Sequence, residues 1–225
     1  QRYREALEIC QRIAAQRPNS YEVYEAMGVI LDEIGAHKRA ISAYRKSLQL
    51  NPERPVLYSN LAVAHRALGD HQEAMSLWRR AIDLDPECSI AHYYLGTAYY
   101  VSGDFPQALP YLERAIELRP DDIRAHNNAA SAARAAGQYR KAIQIWEKAS
   151  KLDSLRVDLS HNMALTLQRD LHDVAGAIPY WRRVLDSNPE DLDALRHIAT
   201  AYAQIGEPEQ EDYWRSRIRA LDAEQ

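Results

Sequence analysis

The sequence has few cysteines and no long apolar run, and these absences exclude several classes of protein. Cys10 and Cys88 are the only cysteines among 225 residues, so neither a disulfide framework nor a cysteine metal site can be argued. The longest apolar stretch, Ala26 to Leu31, is far too short to span a membrane. A net charge of −4 disfavours a sequence-independent nucleic-acid binder, which needs a basic surface. The 46% of hydrophobic residues is instead typical of a folded globular chain.

Three residue types recur through the chain with one period. The alanines are separated by 34, 34, 34, 34 and 35 residues and stand at Ala6, Ala40, Ala74, Ala108, Ala142 and Ala177. Proline follows the same spacing at Pro18, Pro52, Pro86, Pro120 and Pro189, and glycine at Gly35, Gly69, Gly103, Gly137 and Gly206. A fixed period of this length predicts a repeat protein. The units are residues 21–54, 55–88, 89–122, 123–156, 157–191 and 192–225, and residues 1–20 form the second half of an earlier unit.

Each unit contains two helical patterns separated by a break. In the third unit, apolar residues form one helical stripe up to Tyr99, Ser102 to Asp104 interrupts it, and a second stripe begins at Ala108. Glycine suits the turn because it tolerates the left-handed conformation after a helix end. The recurring alanines are small, which predicts that the two helices of each unit cross closely. The large residues four positions later predict packing between units, and they are Tyr44, Trp78, Leu112, Trp146 and Trp181.

The pattern resembles the tetratricopeptide repeat (TPR) family, whose signature runs W-x2-L-G-x2-Y, then A-x3-F, then P. The third unit matches it with His92, Leu95, Gly96, Tyr99, Ala108, Leu112 and Pro120. The resemblance implies an all-α fold, a right-handed superhelical α-solenoid of antiparallel helix pairs that extends as one solenoid over residues 1–225. The high ratio of arginine to lysine, 23 to 5, is typical of a bacterial gene.

Three units depart from the signature. Ser154 replaces the closing proline of the fourth unit, and the fifth holds one extra residue in its turn around Leu171 to Gly176. In the sixth, Glu211 replaces the alanine, so residues 192–225 are a degenerate repeat whose second helix, Glu211 to Ala220, is expected to cap the solenoid. Pro110 and Pro179 lie inside second helices, where we expect a mild bend rather than a break.

The resemblance also implies a binding surface, because the concave wall of such solenoids comes from the first helix of each unit. Asparagines at the sixth position would hold the backbone of a bound segment, as in the asparagine ladder of protein O-linked N-acetylglucosamine transferases. Tyrosines would supply apolar anchoring, and arginines would pair with acidic side chains. The predicted peptide-binding residues are Asn60, Tyr93, Tyr94, Tyr100, Asn127, Asn128, Arg134, Asn162 and Arg169.

The histidines do not form a recognisable catalytic or metal-binding motif. His92 and His126 fall at the tryptophan position of the signature and His65 at its tyrosine position, which predicts packing between helices. His161 and His197 face the groove without a paired His-x3-His or a carboxylate set. We therefore expect no catalytic residues, no metal and no cofactor, and a protein that is not an enzyme.

The predicted function is a non-catalytic scaffold or adaptor for protein–protein interaction that takes an extended or helical segment of a partner into its concave groove. Two alternatives stay open: the substrate-recognition region of a larger enzyme such as a protein glycosyltransferase, and a self-assembling structural scaffold. The expected partner is another protein, with a homo-oligomer as an alternative, and neither nucleic acid nor insertion into a membrane is expected. A cytoplasmic location is favoured, and the periplasm is the alternative.

Overall fold

A computed structural model describes residues 2–153 and 156–223, and about four fifths of them are helical. The thirteen α-helices of this part of the chain are α1 Arg2–Gln16, α2 Tyr21–Glu33, α3 His37–Leu50, α4 Pro55–Ala67, α5 His71–Leu84, α6 Ser89–Val101, α7 Phe105–Leu118, α8 Ile123–Ala135, α9 Tyr139–Leu152, α10 Val157–Leu165, α11 Val174–Ser187, α12 Leu192–Ile205 and α13 Pro208–Ala223. A π-helical turn, Thr166–Asp170, follows α10. No β-strand occurs in the described residues, and none of their helices is long and apolar enough to cross a membrane. The predicted all-α class is confirmed.

Consecutive helices pack as hairpins, and the hairpins stack as in an α-solenoid. The pairs are α2 with α3, α4 with α5, α6 with α7, α8 with α9, α10 with α11, and α12 with α13. The chain divides into two compact units, a first unit of residues 1–119 and a second unit of residues 120–225. Within the first unit, α3 also packs on α4 and α5 on α6, while within the second α9 packs on α10 and α11 on α12. The prediction of a single solenoid with the repeat boundaries given above stays a prediction.

Large side chains of the second helices fill the space between helices. Tyr44, Trp78, Leu112, Trp146 and Trp181 are each no more than 1% exposed, so these large residues are packed in the interior, and the prediction that they pack between units stays a prediction. The first helices contribute very small residues opposite them. In the α2–α3 pair, Gly28 lies directly against the ring of Tyr44, and in the α6–α7 pair Gly96 lies against Leu112. Each of these two hairpins therefore combines a minimal side chain on one helix with a bulky side chain on the other.

Glycine closes the first helix in five of the six pairs, as the sequence predicts. Gly35, Gly69, Gly103, Gly137 and Gly206 have φ between 75° and 86°, the left-handed region in which a Cβ atom is unfavourable. The α10–α11 pair is the exception in the described chain, since His172 takes that conformation with φ 54°.

The extra residue of the fifth unit lies earlier than predicted. The sequence places it in the turn from Leu171 to Gly176, but the structure accommodates it within Thr166–Asp170, before His172. There the N–H of Leu171 donates to the carbonyl of Thr166 at 3.0 Å, the i→i+5 spacing of a π turn. A π turn holds one more residue than an α turn, so the residues on either side of it keep their packing positions.

The prolines and the last helix give one confirmation and one correction. Helices α7 and α11 continue unbroken through Pro110 and Pro179, which confirms that these prolines do not end the second helices. The predicted capping helix, Glu211 to Ala220, is too short, because α13 begins at Pro208 and extends to Ala223. Proline is favourable at that first position, where its missing N–H has no helical partner. Ser154, the predicted departure in the fourth unit, lies outside the described residues.

Replacing Gly96 by alanine tests the close helix crossing. The added Cβ would lie 2.7 Å from Leu112 Cγ, 3.0 Å from the Leu112 backbone nitrogen and 3.1 Å from the Ala108 carbonyl oxygen. The same change in an open helix stabilises by about 1 kcal/mol. Because backbone atoms cannot move aside easily, we expect Gly96→Ala to lower the free energy of unfolding by about 1–3 kcal/mol in urea denaturation.

The matched control lies on the same helix. Val101 is 79% exposed, so Val101→Ala is expected to change the free energy of unfolding by less than about 0.5 kcal/mol. A Gly96→Ala protein as stable as the parent would show that the helices are not closely packed at this position.

Candidate functional site

The predicted residues of the first unit lie on neighbouring first helices. Helices α2, α4 and α6 contact one another in turn, so they form one layer of that unit. Asn60 on α4 and Tyr93, Tyr94 and Tyr100 on α6 are all half-buried. We call this set the first face. A half-buried position leaves part of each side chain open to solvent and to a ligand.

The tyrosines of the first face are partly engaged in packing. The Tyr94 ring stacks on Trp78 with centroids 5.5 Å apart and planes 16° apart, and Tyr93 meets Tyr94 edge-on at 5.1 Å. The Arg66 guanidinium carbon lies 5.0 Å from the centroid of Tyr94. Tyr100 packs against Phe105 at 5.9 Å. These contacts hold the rings in place and leave only part of each ring for a ligand.

The asparagines differ in how they are bonded. Asn60 and Asn162 occupy the sixth position of their units, are half-buried, and make no side-chain hydrogen bond within the described part of the chain. Asn127 is already bonded, because its Oδ1 accepts from Trp146 Nε1 at 2.9 Å. Asn128 lies beside it, half-buried on α8. The amides most available for a ligand are therefore those of Asn60 and Asn162.

The two predicted arginines also differ. Arg134 Nε donates to Asp170 Oδ2 at 2.6 Å, so its charge is met by a carboxylate of the protein itself. Arg169 is exposed, and no ion pair of this side chain occurs among residues 2–153 and 156–223. We call Asn127, Asn128, Arg134, Asn162 and Arg169 the second face, since all of them belong to the second unit. Of its arginines, Arg169 is the one available to an acidic ligand.

A histidine–tryptophan cluster next to Arg169 was not recognised from the sequence. The His197 ring stacks on Trp181 with centroids 4.4 Å apart and planes 2° apart, and His161 meets the same indole edge-on at 5.0 Å. The available signal was that both histidines occupy first-helix positions in successive units around a tryptophan at the packing position. Burial lowers the pKa of His197, and the positive charge of Arg169 lowers it further.

The histidines that the sequence assigned to packing are buried as expected. His65, His92 and His126 are 6%, 7% and 4% exposed. Each makes a polar contact: His65 Nδ1 lies 3.0 Å from Asp70 Oδ2, His92 Nε2 lies 2.9 Å from the Pro86 carbonyl, and His126 Nδ1 lies 3.1 Å from the Asp122 carbonyl. In the described residues no group of three histidine, cysteine or acidic side chains is arranged to hold a metal ion.

Stacked helix hairpins with this period define an α-solenoid repeat protein, and comparison with known families identifies which one. Two family models described as tetratricopeptide repeat match the chain, one at residues 59–123, 95–155 and 162–211 and the other at residues 21–54. Together they account for most of the sequence. The chain belongs to the tetratricopeptide repeat family, which confirms the resemblance seen in the sequence.

Solved structures of this family are similar in fold. YrrB, described as a TPR protein with an unusual peptide-binding site, has a TM-score of 0.73 and 21% identity, with 84% of this chain and 97% of that chain covered. The C-terminal part of a TPR repeat-containing protein from Cytophaga hutchinsonii has a TM-score of 0.82 and 21% identity, with 100% of this chain and 92% of that chain covered. At this identity the similarity supports the fold alone.

A curated relative matches over a short segment. The probable biofilm formation methyltransferase WspC of Pseudomonas putida is 44% identical over 46 residues, which are 20% of this chain. The match spans only 11% of the length of that relative.

Titration of His197 tests the histidine–tryptophan cluster. Because burial disfavours the charged imidazole, the ring is expected to titrate below its ordinary pKa of 6.5, as followed by the NMR shifts of the ring protons. Protonation is then easier in the unfolded chain than in the folded one. The stability contributed by neutral His197 is complete above pH 6.5 and is lost as the pH falls through the folded-state pKa.

The variant His197→Phe separates this effect from other titrations. It keeps an aromatic ring against Trp181 but cannot take up a proton, so its free energy of unfolding should fall less than that of the parent between about pH 7 and pH 5. A ring titrating at or above 6.5, or identical pH profiles for the two proteins, would contradict the proposed environment.

Proposed function

We propose that the protein is a non-catalytic scaffold or adaptor that binds a segment of a partner protein on its first-helix faces. Membership of the tetratricopeptide repeat family supports an interaction role. One observation carries the proposal of a peptide ligand: the amides of Asn60 and Asn162 occupy equivalent repeat positions, are half-buried and have no protein partner in the described chain.

The chemistry of these amides suits a peptide backbone. A side-chain amide both donates and accepts, as does each peptide unit of an extended chain, so one asparagine can pair with a backbone group whatever residue carries it. The partner's side chains then contribute through the remaining groups of each face. The half-buried tyrosines Tyr93, Tyr94 and Tyr100 offer apolar area in the first unit, and Arg169 offers a positive charge in the second.

The likeness to YrrB is consistent with this proposal. That protein is described as having a peptide-binding site, and this chain shares its fold over most of its length. Its site residues are not transferred to this chain, because the two sequences are only 21% identical. The proposed contacts rest on the side chains of the two faces alone.

A second proposal is that the chain forms the recognition part of a larger enzyme. The observation that favours it is the 46-residue match to a relative named as a methyltransferase. The matched segment is only 11% of the length of that relative. Sequencing the complete gene decides this proposal: an additional catalytic domain would support it, and a reading frame that encodes repeats only would reject it.

The test of the peptide-binding proposal starts from selected ligands. A display library of random dodecapeptides is panned on the protein, and the affinities of the selected synthetic peptides are measured by fluorescence polarisation. A hydrogen bond contributes about 1 kcal/mol. Asn60→Ala or Asn162→Ala should therefore lower the affinity for peptides bound at the altered face about fivefold. Methylation of the contacted backbone nitrogen of the peptide should produce a similar loss.

The control is an asparagine away from both faces. Asn19 is exposed in the turn before α2, and Asn19→Ala should leave every affinity unchanged. If both Asn60→Ala and Asn162→Ala bind all selected peptides like the parent, the asparagines do not hold the ligand backbone.

A further inference from the structure

An open pocket of about 380 Å³ lies in the first unit next to the aromatic stack of Trp78 and Tyr94. Its wall is mostly carbon and comes from second-helix residues of α5 and first-helix residues of α6, namely Ala74, Met75, Trp78, Ala98 and Val101. Val101 is 79% exposed, so most of this apolar side chain is in contact with water. The pocket is large enough for one bulky side chain, but it is too open for an enclosed small-molecule site.

The charged side chain that lines this pocket is Arg66. Arg66 lines it and is exposed, with its guanidinium over the Tyr94 ring, and no carboxylate of residues 2–153 or 156–223 forms an ion pair with it. His71 also lines the pocket, and no acidic residue does. By contrast, Arg54, which immediately precedes α4, is bonded to Glu25 of the neighbouring pair at 2.6 Å. Arg66 therefore holds an uncompensated positive charge beside an apolar surface.

We infer that this pocket receives a leucine-sized or aromatic side chain of the partner segment, and that Arg66 binds a carboxylate next to that side chain. The inference rests on the proposed function and names the chemistry of its ligand. The anchor covers Val101 and the neighbouring apolar wall, which removes apolar surface from water. Met75 has an unbranched, flexible side chain, so this wall adapts to anchors of different shape.

The position of Arg66 gives the carboxylate a defined direction. The guanidinium lies over the Tyr94 ring, 5.0 Å from its centroid, and lines the pocket, where its N–H groups can donate to a planar carboxylate. A partner with a lysine or arginine next to the anchor would instead meet the like charge of Arg66. The pocket thus selects an acidic-apolar motif over a basic-apolar one.

Methyl NMR offers a direct test, because the chain has only three methionines. Met75 lines the pocket, Met27 is elsewhere in the first unit, and Met163 is buried in the second. The probes are acetylated and amidated octapeptides with a serine–glycine frame and a central pair of leucine–aspartate, leucine–serine, leucine–lysine or serine–aspartate. The leucine–aspartate peptide should shift the Met75 methyl resonance saturably and leave Met27 and Met163 in place.

Substitution of Arg66 separates the charge from the pocket. Arg66→Gln should weaken the leucine–aspartate peptide about fivefold, to the affinity of the leucine–serine peptide, since an exposed ion pair contributes up to about 1 kcal/mol. The matched control is Arg80→Gln, an exposed arginine of α5 that does not line the pocket, and it should bind like the parent.

The outcomes distinguish this inference from the proposed function. The pocket inference is wrong if no peptide shifts the Met75 resonance. The scaffold proposal still holds in that case if the binding of display-selected ligands depends on Asn60. Equal affinity for the leucine–aspartate and leucine–lysine peptides overturns the role of Arg66. A saturable Met75 shift that Asn60→Ala does not weaken supports the pocket and counts against backbone binding by that asparagine.

Discussion

The close approach of the two helices of a hairpin, seen at Gly28 and Gly96, is the constraint on which the rest of the structure depends. At Gly28 and Gly96 the first helix has no side chain to separate it from its partner, and Tyr44 and Leu112 occupy the space so created. The inner faces of the second helices therefore pack against the first helices, and their tryptophans are buried. The first helices pack through small residues and keep a second row of larger side chains at half-buried positions, from which a ligand can be contacted.

The same constraint determines how the chain accommodates an irregular repeat. One residue added inside a packed helix would rotate everything beyond it by about 100° and bring polar residues into the core. The π turn at Thr166–Asp170 absorbs that residue locally, and Trp181 remains fully buried. The backbone strain lies in the following turn, where His172 has the left-handed conformation. Glycine has this conformation in the other pairs. The irregular π turn therefore allows the helix that follows it to keep the packing position of Trp181.

The fold followed from the sequence because each periodic residue has a local physical role. Glycine ends a helix, alanine permits close crossing, and a large residue four positions later fills the interior, so spacing alone predicts the hairpins. The sequence did not show which site residues are already bonded to other side chains of the protein. Asn60 and Asn127 both stand on first-helix faces, yet Asn127 is bonded to Trp146. Arg134 reaches Asp170, 36 residues away, whereas Arg169 makes no such ion pair in the described chain. Asn127 meets a tryptophan of its own helix pair, and Arg134 meets an aspartate of the following unit. Such contacts depend on side-chain rotamers, which the periodic spacing does not specify.

On the proposed binding faces, polar and apolar groups have different consequences for a ligand. Asn60 and Asn162 would exchange hydrogen bonds to water for hydrogen bonds to a peptide, so each would add only about 1 kcal/mol and favour no particular side chain. Apolar burial beside Trp78 and Tyr94 is worth about 25 cal/mol per Å² and requires a side chain of suitable size. Affinity would then come mainly from the anchor, pairing with the backbone of the bound segment from the amides, and discrimination between acidic and basic partners from Arg66. Such a division permits many partner sequences that share one short motif.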